Sequence, residues 1–166
     1  MRANYRMQRL FVDAPLGAGL GVEADADQFN YLANVLRLTE GSRILLFNGR
    51  DGEWAAALNF SSKKKLALVC ESLERAQTPL PGLVFLFAPL KVGRLDYLVQ
   101  KTVEMGAGVI QPVITEFTQN HRVSVGKLQA NALEAAEQCG ILSLPQVKGG
   151  RLRVLAGRDE GVSGIS

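Results

Sequence analysis

The chain has 166 residues, 47% hydrophobic and 21% charged, with 19 Lys+Arg against 16 Asp+Glu for a net charge of +3. At roughly 150 residues per domain this is one domain or two small ones of ordinary globular composition, and its mild positive charge permits an anionic partner without demonstrating one. Two cysteines, Cys70 and Cys139, and one histidine, His121, exclude a disulfide scaffold, argue against a metal cluster and disfavour serine-triad chemistry; no apolar run approaches the roughly 20 residues of a membrane span, so the expected setting is cytoplasmic, with reduced thiols.

Gln8 to Val12 reads as a short strand. A helix begins near Asp25 or Asp27, either of which could cap it, and Phe29, Leu32, Val35 and Leu36 recur at helical spacing. Three strands follow: Arg43 to Phe47, Glu53 to Phe60, and Leu66 to Leu73. Asn48-Gly49-Arg50-Asp51-Gly52 is a turn signal between the first two. Short strands at close spacing with one helix predict a small β barrel over residues 1–75.

Residues 76–82 carry two prolines and a glycine and read as a linker. The pattern then changes. Leu83 to Leu90 is almost wholly apolar, as in a strand buried on both faces of a parallel sheet. A helix from about Gly93 to Met105 ends at Gly106. Val109 to Thr115 reads as a strand that Pro112 makes irregular or edge-like. Val125 to Cys139 is helical, with Ser124 as cap and Gly140 as stop. Residues 83–166 are thus an α/β unit.

The helix after the apolar run carries the clearest chemical pattern. Arg94 and Lys101 lie on one line, seven residues apart, with Lys91 nearby. Cations at a strand's carboxyl end suit a phosphate backbone, although a solvated face partnered by Asp96 and Glu104 accounts for the same spacing. Arg9, Arg37 and Lys63-Lys64-Lys65 could form a second basic surface, or the lysines could simply protect a strand edge. The polar stretch Thr115 to Arg122 follows a strand end, where open α/β sheets carry their sites. Gly157 to Ser163 is a glycine-bounded acidic loop.

Taken together, these segments resemble the ribosomal RNA small subunit methyltransferase E family, of the SPOUT superfamily of knotted methyltransferases. The matching residues are QRLFV at 8–12, VLRL at 35–38, RILLFNGRDGEW at 43–54, Lys91 with Gly93-Arg94, Lys101 with Glu104-Met105-Gly106, the loop 115–122, and EAAEQCG at 134–140, in collinear order over residues 5–147. The resemblance implies a PUA-like RNA-binding barrel followed by a trefoil-knot α/β methyltransferase domain. It implies S-adenosylmethionine as methyl donor, N3 of a uridine in 16S rRNA of the small subunit as target, and a homodimer. On that reading Arg9, Arg37, Lys91, Arg94 and Lys101 hold RNA. Arg122 stabilises the deprotonated uracil, with Glu116 as a second candidate, for the base. Gly157, Gly161 and Ser163 stand as the counterpart of the family's glycine-rich cofactor loop, although they arrive early and the match decays after Val147. An incomplete knot would leave apolar surface exposed over Leu83–Leu90 and Val109–Ile114, and the chain would associate. A non-catalytic RNA-binding module is the alternative, and a metabolic enzyme for an anionic substrate is a third reading.

Overall fold

The computed structural model describes residues 7–62, 65–89, 94–114, 118, 124–149 and the backbone of 152–153. The first half is built on a mixed five-stranded sheet. Its strands are β1 (Arg9–Phe11), β2 (Gly21–Glu23), β3 (Arg43–Phe47), β4 (Glu53–Ser62) and β5 (Lys65–Arg75), in the order β1-β3-β4-β5-β2. β1 runs parallel to β3, and the other pairs are antiparallel. The sequence reading missed β2, whose three residues and leading glycine give no periodic signal.

Asp25 is the cap of α1 (Ala26–Phe29): its side chain accepts from the Gln28 N–H while the Gln28 side chain accepts from the Asp25 N–H. The helix then widens into a π-helical segment, Asn30–Val35. Widening shifts the inward face, so Leu32 is fully buried and Val35 is exposed. Leu32 packs with Leu10, Ile44, Leu46, Leu58, Leu66 and Leu68 in the first core.

The turn between β3 and β4 is closed by Asn48. Its side-chain oxygen accepts from the Arg50 and Asp51 N–H groups, and its amide donates to Ala14 O and Asp51 Oδ2. Gly52 at φ +85° completes it, a conformation that an L side chain rarely adopts.

Residues 76–83 have no regular structure, yet they are pinned. Gln77 accepts from the Gly52 N–H and donates to Ser143 Oγ, and Leu83 O accepts from the Gly108 and Val109 N–H groups.

The second half holds β6 (Val84–Phe87), α2 (Arg94–Glu104), β7 (Val109–Ile114), α3 (Val125–Cys139), β8 (Gln146–Val147) and β9 (Leu152–Arg153). All its strand pairs are parallel; β7 lies between β6 on one side and β8 and β9 on the other. Two expectations fail here. Pro112 is buried in the central strand, not at an edge. β8 pairs with Val109 and Ile110 and β9 with Val113 and Ile114, so Pro112 falls between the two described pairings, where its missing N–H is tolerated. Conversely, β6 is not buried on both faces: Leu83, Val84 and Leu86 are 54%, 53% and 53% exposed. Of the two apolar runs expected to be exposed, the first is so at Leu83, Val84 and Leu86 but buries Phe87, and β7 is covered by its neighbours.

α3 has the predicted ends. Ser124 accepts from the Lys127 N–H, and Gly140 takes the left-handed conformation. Its Leu128, Ala132, Ala135 and Ala136 pack with Val99 and Val103 of α2 and Ile110 of β7 in the second core. Phe47 of β3 belongs to this core, with Phe11 of β1 packed against it. Their rings meet edge to face at 5.7 Å. The two halves therefore share apolar surface.

Candidate nucleic-acid interface

The C-terminal turn of α3 ends against β1 and β4. A helix end leaves its last carbonyls without partners, and here two arginines from the first half supply donors. Arg9 Nη1 donates to the carbonyls of Ala136 and Glu137, and Nη2 to Ile141 at 3.1 Å. Arg75 Nη2 donates to Gly140 O at 2.8 Å. Both cations converge on Glu53: Arg9 Nε reaches Oε1 at 2.6 Å and Arg75 Nε reaches Oε2 at 2.6 Å. Arg9 is 4% exposed and Glu53 1%. Burial pushes the Glu53 carboxyl up, but the hydrogen bonds and charges of Arg75 and Arg9 hold it below its ordinary value. Arg9, expected to hold RNA, is instead enclosed in this joint, with the Phe47 ring 4.4 Å below its guanidinium carbon. Its hydrogen-bonding groups are thus engaged by Glu53 and the end of α3. Glu53 and Arg75 gave no sequence signal, because their partners lie tens of residues away.

Beside the joint, a cleft of about 600 Å³ lies between the two halves, lined by Gln8, Asp27, Gln28, Tyr31, Glu134 and Glu137, among others. Glu137 Oε1 accepts from the Phe11 N–H at 2.8 Å. Burial raises the Glu137 carboxyl above its ordinary value, although the Phe11 N–H and Arg9 act against it. A raised folded-state value means the ionised form loses stability as pH climbs through the unfolded carboxylate value. Glu137→Gln keeps an acceptor and removes that charge. It should melt no lower than the parent at pH 7, with the relative gain vanishing in acid. Glu137→Ala leaves the Phe11 N–H without its acceptor and should cost about 1–3 kcal/mol in a urea titration.

Of the other expected RNA contacts, Arg37 is exposed at φ +56°, just past the π-helical segment. A left-handed conformation costs an L residue roughly 1–2 kcal/mol. Arg37→Gly should therefore hold or raise stability while removing one cation, and thermal melting beside RNA titration separates the two effects. Arg94 opens α2 and is exposed. Lys101 is bonded to Glu104 at 2.6 Å, so part of its charge is already answered. Lys63, Lys64, Lys91, Glu116, Arg122, Gly157, Gly161 and Ser163 lie outside the described residues. In chain order, β6 is followed by α2 and β7 by α3. In open α/β sheets the carboxyl edge of such strands is where ligands bind.

Two family models match in that order. An RNA methyltransferase PUA domain covers residues 24–70, and an RNA methyltransferase domain covers 76–151. Curated relatives named ribosomal RNA small subunit methyltransferase E include that of Rickettsia conorii, 28% identical over 86% of this chain and 59% of that protein. Another, from Synechocystis, is 31% identical over 72% of this chain and 40% of that protein. The chain carries the matched PUA and methyltransferase domains of RNA methyltransferases and is similar to the ribosomal RNA small subunit methyltransferase E proteins. It spans less than two thirds of the length of these relatives.

Solved structures agree on the fold of this chain. A Legionella pneumophila methyltransferase with bound S-adenosylmethionine superposes with a TM-score of 0.74 at 24% identity, covering 89% of this chain and 63% of that one. The Neisseria gonorrhoeae methyltransferase E, bound to the same cofactor, gives 0.69 at 24% identity, covering 88% and 63%. Among the described residues, no helix is long and apolar enough to cross a membrane.

Proposed function

We propose that the protein of which this chain is part or whole methylates N3 of a uridine in 16S rRNA of the small subunit, with S-adenosylmethionine as donor. The observation that carries this reading is the collinear match of a PUA domain and a methyltransferase domain to the family. The reading takes residues 1–75 as a PUA-like barrel, 76–82 as linker and 83–166 as the opening part of a knotted methyltransferase domain. The protein acts as a homodimer in the cytoplasm.

The carboxyl edge of β6 and β7 suits a nucleoside-bearing donor, because parallel strands end there and loops leave for two helices. Gly157, Gly161 and Ser163 are the candidates to hold the donor, as residues whose backbone a ligand can approach closely. The donor supplies an electrophilic methyl group on a sulfonium. The chain must do the rest. Uracil N3 is a weak nucleophile until it loses its proton, so the site needs an acceptor for that proton and a cation for the resulting charge. We assign the second role to Arg122 and the first to Glu116. Arg37, Lys91, Arg94 and Lys101 contact phosphates, Lys101 less strongly because Glu104 already holds it.

The test is methyl transfer from labelled S-adenosylmethionine to unmodified 30S subunits, with calorimetric titration of the donor alongside. Labelled uridine in 16S rRNA is expected, falling about a hundredfold or more in Arg122→Ala. RNA binding that weakens steeply with salt, without donor binding or transfer, would replace this reading with that of a non-catalytic RNA-binding module.

A further inference from the structure

α2 and α3 lie side by side, and between them opens a second cleft of about 300 Å³. Its walls are Asp96, Tyr97 and Gln100 from α2, and Asn131, Glu134 and Gln138 from α3. The mouth is fixed by Asp96, which accepts from Lys127 Nζ at 3.1 Å and Asn131 Nδ2 at 2.7 Å. Gln138 donates to Glu134 Oε1 at 3.3 Å, a long bond on an exposed face. Gln100 has no hydrogen-bond partner among the described residues, so both ends of its amide are unused there. Tyr97 forms the wall between this cleft and an apolar groove of Leu83, Phe85, Leu98 and Met105. It is 64% exposed, unusual for an aromatic residue beside two packed helices. Arg94 precedes it by one turn, and Lys101 Nζ lies 5.6 Å from its ring centroid.

An exposed ring flanked by cations, above a slot of amides and a carboxylate, matches the way single-stranded RNA is read. Bases stack on aromatic faces, phosphates meet cations, and polar side chains bond the base edge. We propose that this cleft takes one unstacked, amino-bearing base of the RNA, stacked on Tyr97 with its edge read by Gln100 and Glu134. The inference rests on the RNA-modifying reading above and adds a specificity site to it. The chemistry selects the base class. The Glu134 carboxylate only accepts hydrogen bonds, and adenine, cytosine and guanine each offer it an exocyclic amino group. Uracil sets a single N–H between two carbonyl oxygens, which the carboxylate repels. The base is therefore a neighbour of the target uridine, not the target. Asp96 and Glu104 are answered by Lys127 and Lys101, leaving Arg94 to face the phosphates on the outer side.

The test titrates fluorescein-labelled cytidine and uridine hexaribonucleotides into the whole chain at low salt, read by anisotropy. Cytidine should bind more tightly than uridine. Tyr97→Ala should weaken cytidine binding about tenfold, while Tyr97→Phe, which keeps the stacking face, should match the parent. Glu134→Gln should narrow the cytidine preference. Photocrosslinking of a 5-iodocytidine hexamer to the parent should map to Tyr97, which makes the assignment independent of any variant's folding. RNA binding that Tyr97→Ala leaves unchanged, with crosslinks elsewhere, overturns this site and leaves the RNA-modifying reading standing. Failure of the parent to bind either hexamer also overturns this site, while methyl transfer to 30S subunits decides the RNA-modifying reading separately.

Discussion

Glu53→Ala should destabilise the protein by about 3–5 kcal/mol, because it strands two arginines in the joint without a counter-charge. Arg9 is 4% exposed and Arg75 14%, so Arg9 above all has little access to water in place of the carboxylate. For a chain of this size the melting temperature should fall by on the order of 10 °C. Glu53→Gln should cost less, since one oxygen still accepts. The effect has a signature in pH. The folded-state value of Glu53 lies below its ordinary one. Its contribution is therefore present above the unfolded carboxylate value of about 4.3 and lost as pH falls through the folded value. Melting curves across the acid range should show the parent losing stability there and Glu53→Ala losing less. Equal acid limbs in the two proteins would mean that Glu53 does not carry the joint.

Gly108→Ala should be at least as damaging, for a different reason. Gly108 stands at the start of β7, where the 76–83 segment crosses it. A methyl group there would collide with the backbone carbonyl of Pro81 and press on Leu80. Its own N–H is bonded to Leu83 O, so the strand start cannot swing away without losing that bond. The segment cannot yield freely either, because Gln77 and Thr78 are held to Ser143. A cost above about 3 kcal/mol is expected, within the range for overpacking combined with a broken hydrogen bond. Urea unfolding checks it, and a loss under about 1 kcal/mol would show that the segment can move aside. The same crossing, with the bonds of Gln77 and Thr78 to Ser143, ties residues 76–82 to the second half while most of them stay exposed.

The elements legible in the sequence were those set by local chemistry. The caps of α3 at Ser124 and Gly140 follow from one hydroxyl and one left-handed residue. The strands on either side of Asn48–Gly52 follow from a turn whose side chains bond their own backbone. Arg94 and Lys101 on one line follow from helical geometry alone. The site was legible only in part. The strand-end position of the Thr115–Arg122 segment could be read from the order of elements. The enclosure of Arg9 could not, since a surface arginine and a joint arginine look alike until the partners are known.

By itself, then, the sequence determined what depends on neighbours within a turn or a hairpin: the helix ends, the hairpin, the change from closely spaced strands to alternating strands and helices, and the family which that order resembles. The tertiary structure alone decided what depends on distant partners. It joined Arg9 and Arg75 to Glu53 and to the end of α3, across separations of 22 to 132 residues. It placed Pro112 in the sheet's central strand, between the pairings with β8 and β9, and it set Tyr97 of α2 beside Glu134 of α3. Each of these follows from desolvation and close packing. A buried charge must find its counter-charge wherever the fold brings it, and sequence spacing carries no record of that encounter.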